Sequence, residues 1–324
     1  MIYPWQQKQW DKIVARHQQG RMPHALLLTG SRGLGKSRFA KSLAELILCK
    51  RNQTQACGIC RGCQLFRVGN HPDFFEVSTE EKSKTIKVAQ IRELIAALNQ
   101  TSQQGHYQVV ILSPAEAMNR AAANAFLKTL EEPSGQVLLI LVTHQPGALP
   151  PTIVSRCQRV LFKVYFDPAV LQWIEAQIKG DKNKALQLLV VANYAPLQAI
   201  ELESLNYLPL RDRLLKSLIN TVTQRELAVT VVNALLKEDI KLILHIIIIF
   251  LMDVLRLQFN CHDFVFNADH LPLLQEFSSV LSQEKLLEIL QRLQETWRVV
   301  TGSTAVNSQL LLEEIFLMLE THKC

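Results

Sequence analysis

The sequence predicts an α/β domain with a parallel sheet in its first half and helices alone in its second half. Three observations carry this prediction. Short apolar runs alternate with helical patterns up to about residue 163, a glycine-rich loop joins the first run to the first helix, and strand signals then stop. Strands that alternate with helices are typical of parallel sheets covered by helices. With 48% hydrophobic and 20% charged residues among 324, the chain is not a disordered, collagen-like or coiled-coil protein.

Five apolar runs are predicted as strands in the first half, and three periodic segments are predicted as helices. The first strand, Ala25 to Leu28, ends at the glycine-rich loop, and the helix after it spans about Lys36 to Cys49. Pro133 ends the third helix, because proline disfavours helical conformation in the residue before it. The later elements are strand Phe74 to Val77, helix Val88 to Leu98, strand Gln108 to Leu112, helix Ala121 to Leu130, strand Val137 to Val142 and strand Arg159 to Phe162.

The second half reads as helices separated by breaks, and we expect three domains in the whole chain. Their predicted bounds are 1–163, 164–206 and 207–324. The segment Ile246 to Met252 is apolar on every helical face, so its helix should be buried all round or lie in a subunit interface. The breaks are expected near Gly180, Pro196, Pro209, Asn260 to His270 and Gly302.

Charge and hydropathy indicate the compartment and bound the choice of partners. The 35 Lys and Arg residues against 29 Asp and Glu give a net charge of +6, which permits nucleic acid as a partner without requiring it. The most apolar stretch, Leu242 to Met252, is far shorter than the roughly 18 residues of a membrane span. Met1 to Asp11 shows no apolar signal core. We therefore expect a cytoplasmic protein with no membrane contact and with reduced cysteines.

The glycine-rich loop matches the phosphate-binding pattern G-x-x-x-x-G-K-[ST] at every required position. Glycines let the backbone N–H groups point at phosphate oxygens, and the start of the next helix adds positive partial charge. Lys36 is expected to reach the terminal phosphates and Ser37 to hold Mg²⁺, so the sequence predicts binding of ATP or ADP with magnesium. The alternative is a chance glycine-rich turn, which the flanking strand and helix disfavour. The loop residues are Gly30, Ser31, Arg32, Gly33, Leu34, Gly35, Lys36 and Ser37.

Hydrolysis by such a loop needs an acid at the end of a neighbouring strand, where it helps to hold magnesium. The strand Gln108 to Leu112 is followed by Ser113-Pro114, and neither residue is a carboxylate. Glu116 is the acid nearest to the end of this strand, and the pattern favours its interpretation as a solvated residue at the start of a helix. The sequence therefore predicts a nucleotide pocket with weak or absent catalysis.

Four cysteines cluster within fifteen positions: Cys49, Cys57, Cys60 and Cys63. Four thiolates suit tetrahedral zinc, and Gly58 and Gly62 relieve the tight turns between the ligands. The fourth cysteine and proline of a ferredoxin-type iron–sulfur motif do not follow the three close cysteines. Scattered free thiols or a redox pair are the other alternative. We expect a structural zinc site, and we interpret Cys157, Cys261 and Cys324 as ordinary residues.

Six motifs together resemble the AAA+ subunits of bacterial clamp loaders, densely over residues 1 to about 163. The resemblance implies an AAA+ P-loop domain with a zinc insert, a small helical lid and a helical collar that packs against sister subunits. The motifs are Pro23-His24-Ala25, the loop Gly30 to Ser37, the cysteine cluster, His71-Pro72-Asp73, the segment Ala121 to Pro133 that ends in Lys128-Thr129-Leu130-Glu131-Glu132-Pro133, and Ser155-Arg156-Cys157.

Two departures indicate which clamp loader subunit the chain resembles. The ATP-hydrolysing motor subunit (gamma/tau) carries an Asp-Glu pair where this chain has Ser113-Pro114, and it senses nucleotide with an arginine that the segment Ala192 to Ala199 lacks. Both departures favour the delta-prime subunit of DNA polymerase III, although some delta-prime subunits have a degenerate phosphate loop and this one is intact. Seven residues separate Cys49 from Cys57, where eight are more usual. A motor-type ATPase and a zinc-braced P-loop adaptor outside replication stay open as alternatives.

The resemblance also implies residue roles and partners. Arg156 would be an arginine finger that reaches the nucleotide of the adjacent motor subunit, and Thr143 would be a polar sensor of the terminal phosphate or an ordinary strand-end hydroxyl. The implied partners are the motor and delta subunits in a hetero-pentamer, the sliding clamp (beta) and primer-template DNA. This chain would carry no polymerase site. The basic residues Lys82, Lys84, Lys87, Arg32, Arg38 and Lys41 are candidates for DNA contact, each of which taken singly is more typical of a solvated face.

Overall fold

A computed structural model describes residues 2–51, 54–80, 83–103, 107–163, 167–262, 265–302 and 307–320. The chain forms two compact units, one of Met1–Ala176 with Tyr194–Gln198 and one of Gln177–Asn193 with Ala199–Cys324. The predicted fold class is confirmed, because the first unit contains a parallel sheet and the described part of the second is helical. The finer division into three domains stays a prediction.

The five strands form one parallel sheet in the order β2-β3-β4-β1-β5. Every residue of β1, β3 and β4 is buried, which is expected where helices cover both faces of a parallel sheet. β5 lies at one edge and pairs only with β1, Leu27 opposite Arg159. The strands are β1 (Ala25–Thr29), β2 (Phe74–Val77), β3 (Gln108–Leu112), β4 (Val137–Val142) and β5 (Gln158–Leu161).

Helices pack on both faces of the sheet. Phe39 and Leu43 of α2 belong to one core, and Ile91 of α4 with Phe126 of α5 belong to the core on the other face. The helices of the first unit are α1 (Gln7–Gln18), α2 (Lys36–Ile47), α3 (Arg61–Arg67), α4 (Val88–Leu98), α5 (Arg120–Glu131) and α6 (Pro151–Val154), and α7 (Pro168–Ile178) runs from the first unit into the second.

The second half contains helices and short turns among its described residues. The break expected near Pro209 falls at Leu205 and Asn206, and Pro209 itself lies in the first turn of α10. Proline is tolerated there because the first-turn N–H groups lack helical partners. The helices are α8 (Lys182–Val191), α9 (Pro196–Ser204), α10 (Tyr207–Val222), α11 (Ala228–Leu235), α12 (Ile240–Gln258), α13 (Leu271–Val280), α14 (Gln283–Thr301) and α15 (Ser308–Glu320).

The apolar segment Ile246 to Met252 lies in α12 and is only partly buried by the chain itself. Ile246, Ile247 and Phe250 are buried, whereas Ile248 and Ile249 are half-buried. Burial all round is therefore wrong for this chain taken alone. No single helix among the described residues is long and apolar enough to cross a bilayer; α8 and α9 pass that test only jointly, across a bend of 107°.

Candidate nucleotide and metal sites

The phosphate loop lies at the carboxyl edge of the sheet. It joins β1 to α2, and Ser113 and Thr143 directly follow β3 and β4 at the same edge. Parallel strands bring their carboxyl ends together, so residues distant in sequence meet where open α/β sheets bind ligands. The structure therefore brings the predicted loop and both strand-end residues to one place.

Three glycines of the loop lie where a side chain would not fit. A Cβ atom at Gly30 would lie 2.4 Å from the carbonyl oxygen of Phe162, and one at Gly35 would lie 2.5 Å from the Tyr3 ring. Gly33 and Gly35 have φ angles of 81° and 76°, in the left-handed region that glycine adopts without strain. The loop thus needs glycine for both conformation and close packing.

We expect Gly30→Ala to destabilise the chain more than Gly135→Ala. Both residues have positive φ, but Gly135 has nothing within 4 Å of its would-be Cβ, so it incurs only the conformational cost of about 1–2 kcal/mol. Gly30→Ala adds a clash with backbone that cannot rotate away, at about 1–3 kcal/mol more. Urea unfolding of both variants measures the difference, and equal losses would contradict the packing of the loop against Phe162.

The loop lysine is buried and held by backbone carbonyls. Lys36 is 2% exposed, and its Nζ donates to the carbonyl oxygens of Gly30 (2.6 Å) and Ser31 (2.7 Å). Its Nζ also lies 2.9 Å from Nδ1 of His144. Burial lowers the pKa of Lys36 to about 8, and the negative charge of Glu116 opposes that shift. The Lys36 ammonium group therefore lies at the loop and loses its proton more readily than a lysine in solvent does.

His144 and Glu116 complete this polar cluster, and sequence reasoning did not single out His144. Burial lowers the pKa of His144, and the charge of Lys36 lowers it further. Glu116 Oε1 accepts the backbone N–H of His144 at 3.0 Å, while its Oε2 is buried without a hydrogen-bond partner among the described residues. The expectation that Glu116 is a solvated surface residue is therefore wrong. Proximity to Lys36 arises from tertiary packing, which no local pattern reveals.

The two hydroxyl groups expected near the phosphates take different positions. Ser37 Oγ lies 3.5 Å from Ser113 Oγ, so the predicted magnesium ligand faces the residue after β3. Thr143 is fully buried, and its Oγ1 accepts the N–H of Gln145 at 3.1 Å. The sensor role of Thr143 stays a prediction, and the side chain of its neighbour His144 contacts the loop lysine.

An N-terminal aromatic segment packs on the loop from one side. Trp5 Nε1 and Gln6 Nε2 both donate to the carbonyl oxygen of Leu34, at 3.1 and 2.9 Å. Tyr3 stacks on Trp5 with ring centroids 4.7 Å apart, and Trp173 meets Trp5 edge to face at 4.9 Å. These contacts fix the backbone of the loop at Leu34.

The segment Tyr194–Gln198 packs against the loop at Gly33. The N–H of Leu197 donates to the Gly33 carbonyl at 3.1 Å, and a Cβ at Gly33 would lie 2.8 Å from Cβ of Gln198. This is the stretch where the motor subunit would carry its sensing arginine. Here it reaches the loop and contains no cationic side chain.

The four clustered cysteines converge after the end of α2. Their Sγ atoms all lie within 4.8 Å of one another, and the Cys57–Cys63 and Cys49–Cys60 pairs are each 4.0 Å apart. A tetrahedral zinc ion with Zn–S bonds of about 2.3 Å needs sulfurs about 3.8 Å apart. The donor set and its spacing therefore fit a closed zinc site.

Backbone groups and a close turn support this arrangement of sulfurs. The N–H groups of Cys57 and Cys60 point at Cys49 Sγ and Cys57 Sγ, each at 3.4 Å. Burial opposes ionisation of Cys60, but hydrogen bonds from backbone and neighbouring thiols outweigh it and lower the pKa to about 6. Gly62 lies in the first turn of α3, and a Cβ there would lie 2.6 Å from the Leu48 carbonyl, so this close approach of α3 to Leu48 requires glycine.

The remaining described cysteines differ in environment. Burial raises the pKa of Cys157 to about 11, so its thiol is inert at neutral pH. Cys261 is exposed and belongs to neither site. Cys324 lies outside the described residues.

Arg156 follows α6 and is held by the acidic end of α5. Its Nε and Nη2 donate to Glu131 Oε1 at 2.7 and 2.5 Å, and its Nη1 donates to the Thr152 carbonyl at 3.0 Å. The side chain stays 35% exposed. His24 Nε2 donates to the Leu130 carbonyl at 2.9 Å, which brings the Pro23-His24-Ala25 motif to the C-terminal end of α5 as well. Motifs far apart in sequence thus meet around Glu131.

The candidate DNA-contacting cations that the structure describes interact with neighbouring side chains of the same chain. The guanidinium carbon of Arg38 lies 4.5 Å from the Tyr3 ring centroid. Lys82 lies outside the described residues. Ion pairs join Lys41 to Glu76 at 2.9 Å and Lys87 to Glu80 at 2.8 Å.

A parallel sheet with a phosphate loop at its carboxyl edge, a four-cysteine module and a helical second half define an AAA+ type P-loop protein. Residues 5–165 match the family described as DNA polymerase III, delta subunit, and residues 206–321 match the family of its C-terminal part. The chain is 35% identical to DNA polymerase III subunit delta' of Pseudomonas aeruginosa, over 98% of this chain and 96% of that protein. It is 30% identical to the subunit of the same name from Escherichia coli K12, over 98% and 95%.

The chain belongs to the delta-prime family of DNA polymerase III subunits. The predicted resemblance and the clamp loader role are thereby confirmed, and this similarity favours them over an adaptor outside replication. The chain also resembles the tau subunit of Salmonella typhimurium, with 32% identity over 52% of this chain and 27% of that protein.

Proposed function

We propose that this chain is a largely non-catalytic clamp loader subunit that completes the ATPase site of a neighbouring motor subunit through Arg156. The supporting observation is the placement of Arg156, which Glu131 and the Thr152 carbonyl hold at the end of α6 with its guanidinium partly exposed. An arginine supplied in trans stabilises charge on the transferring phosphoryl group.

The chain's own loop is proposed to bind ATP or ADP with magnesium and to hydrolyse it weakly or not at all. Gly30 to Ser37 with the start of α2 supply backbone donors, a lysine and a hydroxyl, which fit a nucleotide's phosphates and metal. Ser113-Pro114 provides no carboxylate directly after β3, and Tyr194–Gln198 brings no cation to the loop. Binding without turnover is the behaviour that these residues support.

Nucleotide affinity is expected to fall as pH rises through about 8. Below that value Lys36 is protonated and can pair with the terminal phosphates, whereas above it the free chain must first take up a proton. The affinity should therefore drop by up to about tenfold per pH unit above 8. Titration of a fluorescent ATP analogue on either side of this pH measures the effect, and Lys36→Gln should bind weakly with no such pH dependence. A flat profile in the unmodified chain would contradict a role for the Lys36 ammonium group.

The cysteine module is proposed to hold one structural zinc ion through Cys49, Cys57, Cys60 and Cys63. A bound zinc ion would crosslink the segment between α2 and α3. It would catalyse no reaction, since four protein ligands fill its coordination sphere. The buried His71 lies beside this module, with its Nε2 3.6 Å from a would-be Cβ at Gly62. The module would thereby stiffen the surface next to β2.

The proposed assembly contains motor (gamma/tau) and delta subunits in a hetero-pentamer that acts on the sliding clamp and primer-template DNA in the cytoplasm. The helices from residue 207 onward would form the collar, with residues 164–206 as a lid. The half-buried side of Ile246 to Met252 supports contact with sister subunits. Size-exclusion chromatography of the full chain mixed with motor and delta subunits tests this assembly. Co-elution of all three supports it, and separate elution contradicts it.

A further inference from the structure

A basic groove of about 860 Å³ lies between α1 and the edge strand β5, and the loop residues Gly30 to Ser37 do not line it. Three of its cations, Lys8, Lys12 and Arg16, follow one another at four-residue spacing along α1. In a helix this spacing places side chains on one face, about 6 Å apart along the axis. The three cations therefore form a row about 12 Å long.

Two more cations face this row from the other wall. Arg159 belongs to β5 and Lys163 follows it, and both line the groove and are exposed. Lys8, Lys12, Arg16 and Lys163 form no ion pair with any described residue, and Arg159 donates its Nε to Thr29 Oγ1. Among the described residues, five cationic side chains and one acidic side chain therefore line the groove.

That acid is Asp167, and its carboxylate is already engaged. Its Oδ1 accepts the N–H of Ala169 at 2.9 Å, at the start of α7. One carboxylate offsets at most one of the five positive charges, so the groove keeps a net positive charge among the described residues. A single phosphate cannot contact a row of about 12 Å, so the charge pattern fits a ligand that carries several anionic groups in line.

The groove also has an apolar floor and a sheet edge that is only partly occupied. Ile13, Leu26 and Val170 are nearly fully buried beneath it. Among the described strands β5 pairs only with β1, and its Leu161 is 42% exposed. The Leu161 carbonyl on the outer edge accepts Nε2 of Gln9 from α1 at 3.1 Å, so an added peptide would have to replace this one hydrogen bond. An unpaired strand edge accepts an added extended peptide, whose alternate side chains then point to one side about 6.6 Å apart. That repeat is close to the spacing of the cations on α1.

The aromatic groups of the groove argue against single-stranded nucleic acid as its ligand. Binding of unpaired bases relies on aromatic faces open for stacking. Trp5 is the aromatic residue that lines the groove, and its ring already stacks on Tyr3 and meets Trp173 edge to face. We infer that the groove binds an acidic segment of a partner protein, which lies extended beside β5 with its carboxylates on the row Lys8, Lys12 and Arg16.

Fluorescence anisotropy with the full chain tests this inference. The probes are a labelled short peptide of alternating Glu and Thr, the same peptide with Gln in place of Glu, and a labelled oligothymidine of equal charge. We expect the Glu peptide to bind, to weaken with added salt, and to bind more tightly than either other probe. The variant K8Q/K12Q/R16Q should weaken its binding by about tenfold or more.

A matched variant separates the groove from net charge. Lys182, Lys216 and Lys237 are exposed in the second unit, so K182Q/K216Q/K237Q removes the same charge elsewhere and should leave peptide binding within about twofold. Equal weakening by both triple variants, stronger binding of the oligothymidine, or no binding of the Glu peptide would each overturn the inference. Thermal unfolding of both variants checks that these surface substitutions preserve the fold.

Discussion

Replacing Arg156 with alanine is expected to lower turnover at the adjacent motor site by about 10³-fold or more in the reconstituted complex. An arginine finger stabilises charge that develops only in the transition state, so its removal acts on kcat. Total DNA-stimulated ATPase activity should fall by the share that this one site contributes. Steady-state and single-turnover ATPase assays of the complex measure the change.

A control variant separates catalysis in trans from a structural role for Arg156. Its contacts within the chain are made to Glu131 and to the region around Thr152 and Ser155. Glu131→Gln removes the ion pair but keeps the guanidinium, and a partly exposed pair contributes only about 0.2–1 kcal/mol to stability. We expect this variant to retain most of the turnover. Unchanged turnover in Arg156→Ala, or an equal loss in both variants with normal assembly, would refute the finger role.

Removal of a single cysteine ligand should produce the second large effect. Cys57 is only half-buried, so Cys57→Ala creates little cavity and its consequence should come from the metal site. Native mass spectrometry is expected to show one zinc ion on the unmodified chain and none on this variant. The free energy of unfolding should fall by about 3 kcal/mol, because metal binding is coupled to folding of the segment it crosslinks.

The matched control for the metal site is Cys261→Ala. Cys261 is exposed and lies outside the cluster, so its replacement should leave both zinc content and stability unchanged. An apo mass for the unmodified chain, or equal stability of the Cys57 and Cys261 variants, would contradict a structural zinc site.

The parts of the fold that could be predicted are those whose signal is local. β1, β3 and β4 are continuous apolar runs buried on both sides, and their predicted limits agree with the structure to within one residue. α1 and α3 carry weaker signals. α1 buries only Ile13 and Val14, and α3 has seven residues whose position depends on the cysteine module. Short helices held by tertiary contacts lack a long apolar repeat that would indicate them.

The site was predictable where residue type and spacing define its chemistry. The phosphate loop and the cysteine cluster both have fixed spacings, and the structure brings each set together. The contact between His144 and Lys36 joins residues 108 positions apart, and Glu116 reaches the same place through the turn after β3. Only the assembled sheet edge creates these contacts, so no pattern in the sequence predicts them.

Clamp loading on primed DNA measures the role of this chain in the complex itself. Motor and delta subunits are incubated with ATP, the sliding clamp and primed circular DNA, with or without the full chain, and clamp retained on DNA is measured. We expect efficient loading only when this chain is present and incorporated into the complex. Equal loading without the chain, or failure of the chain to enter the complex, would contradict its role as the delta-prime subunit of a clamp loader.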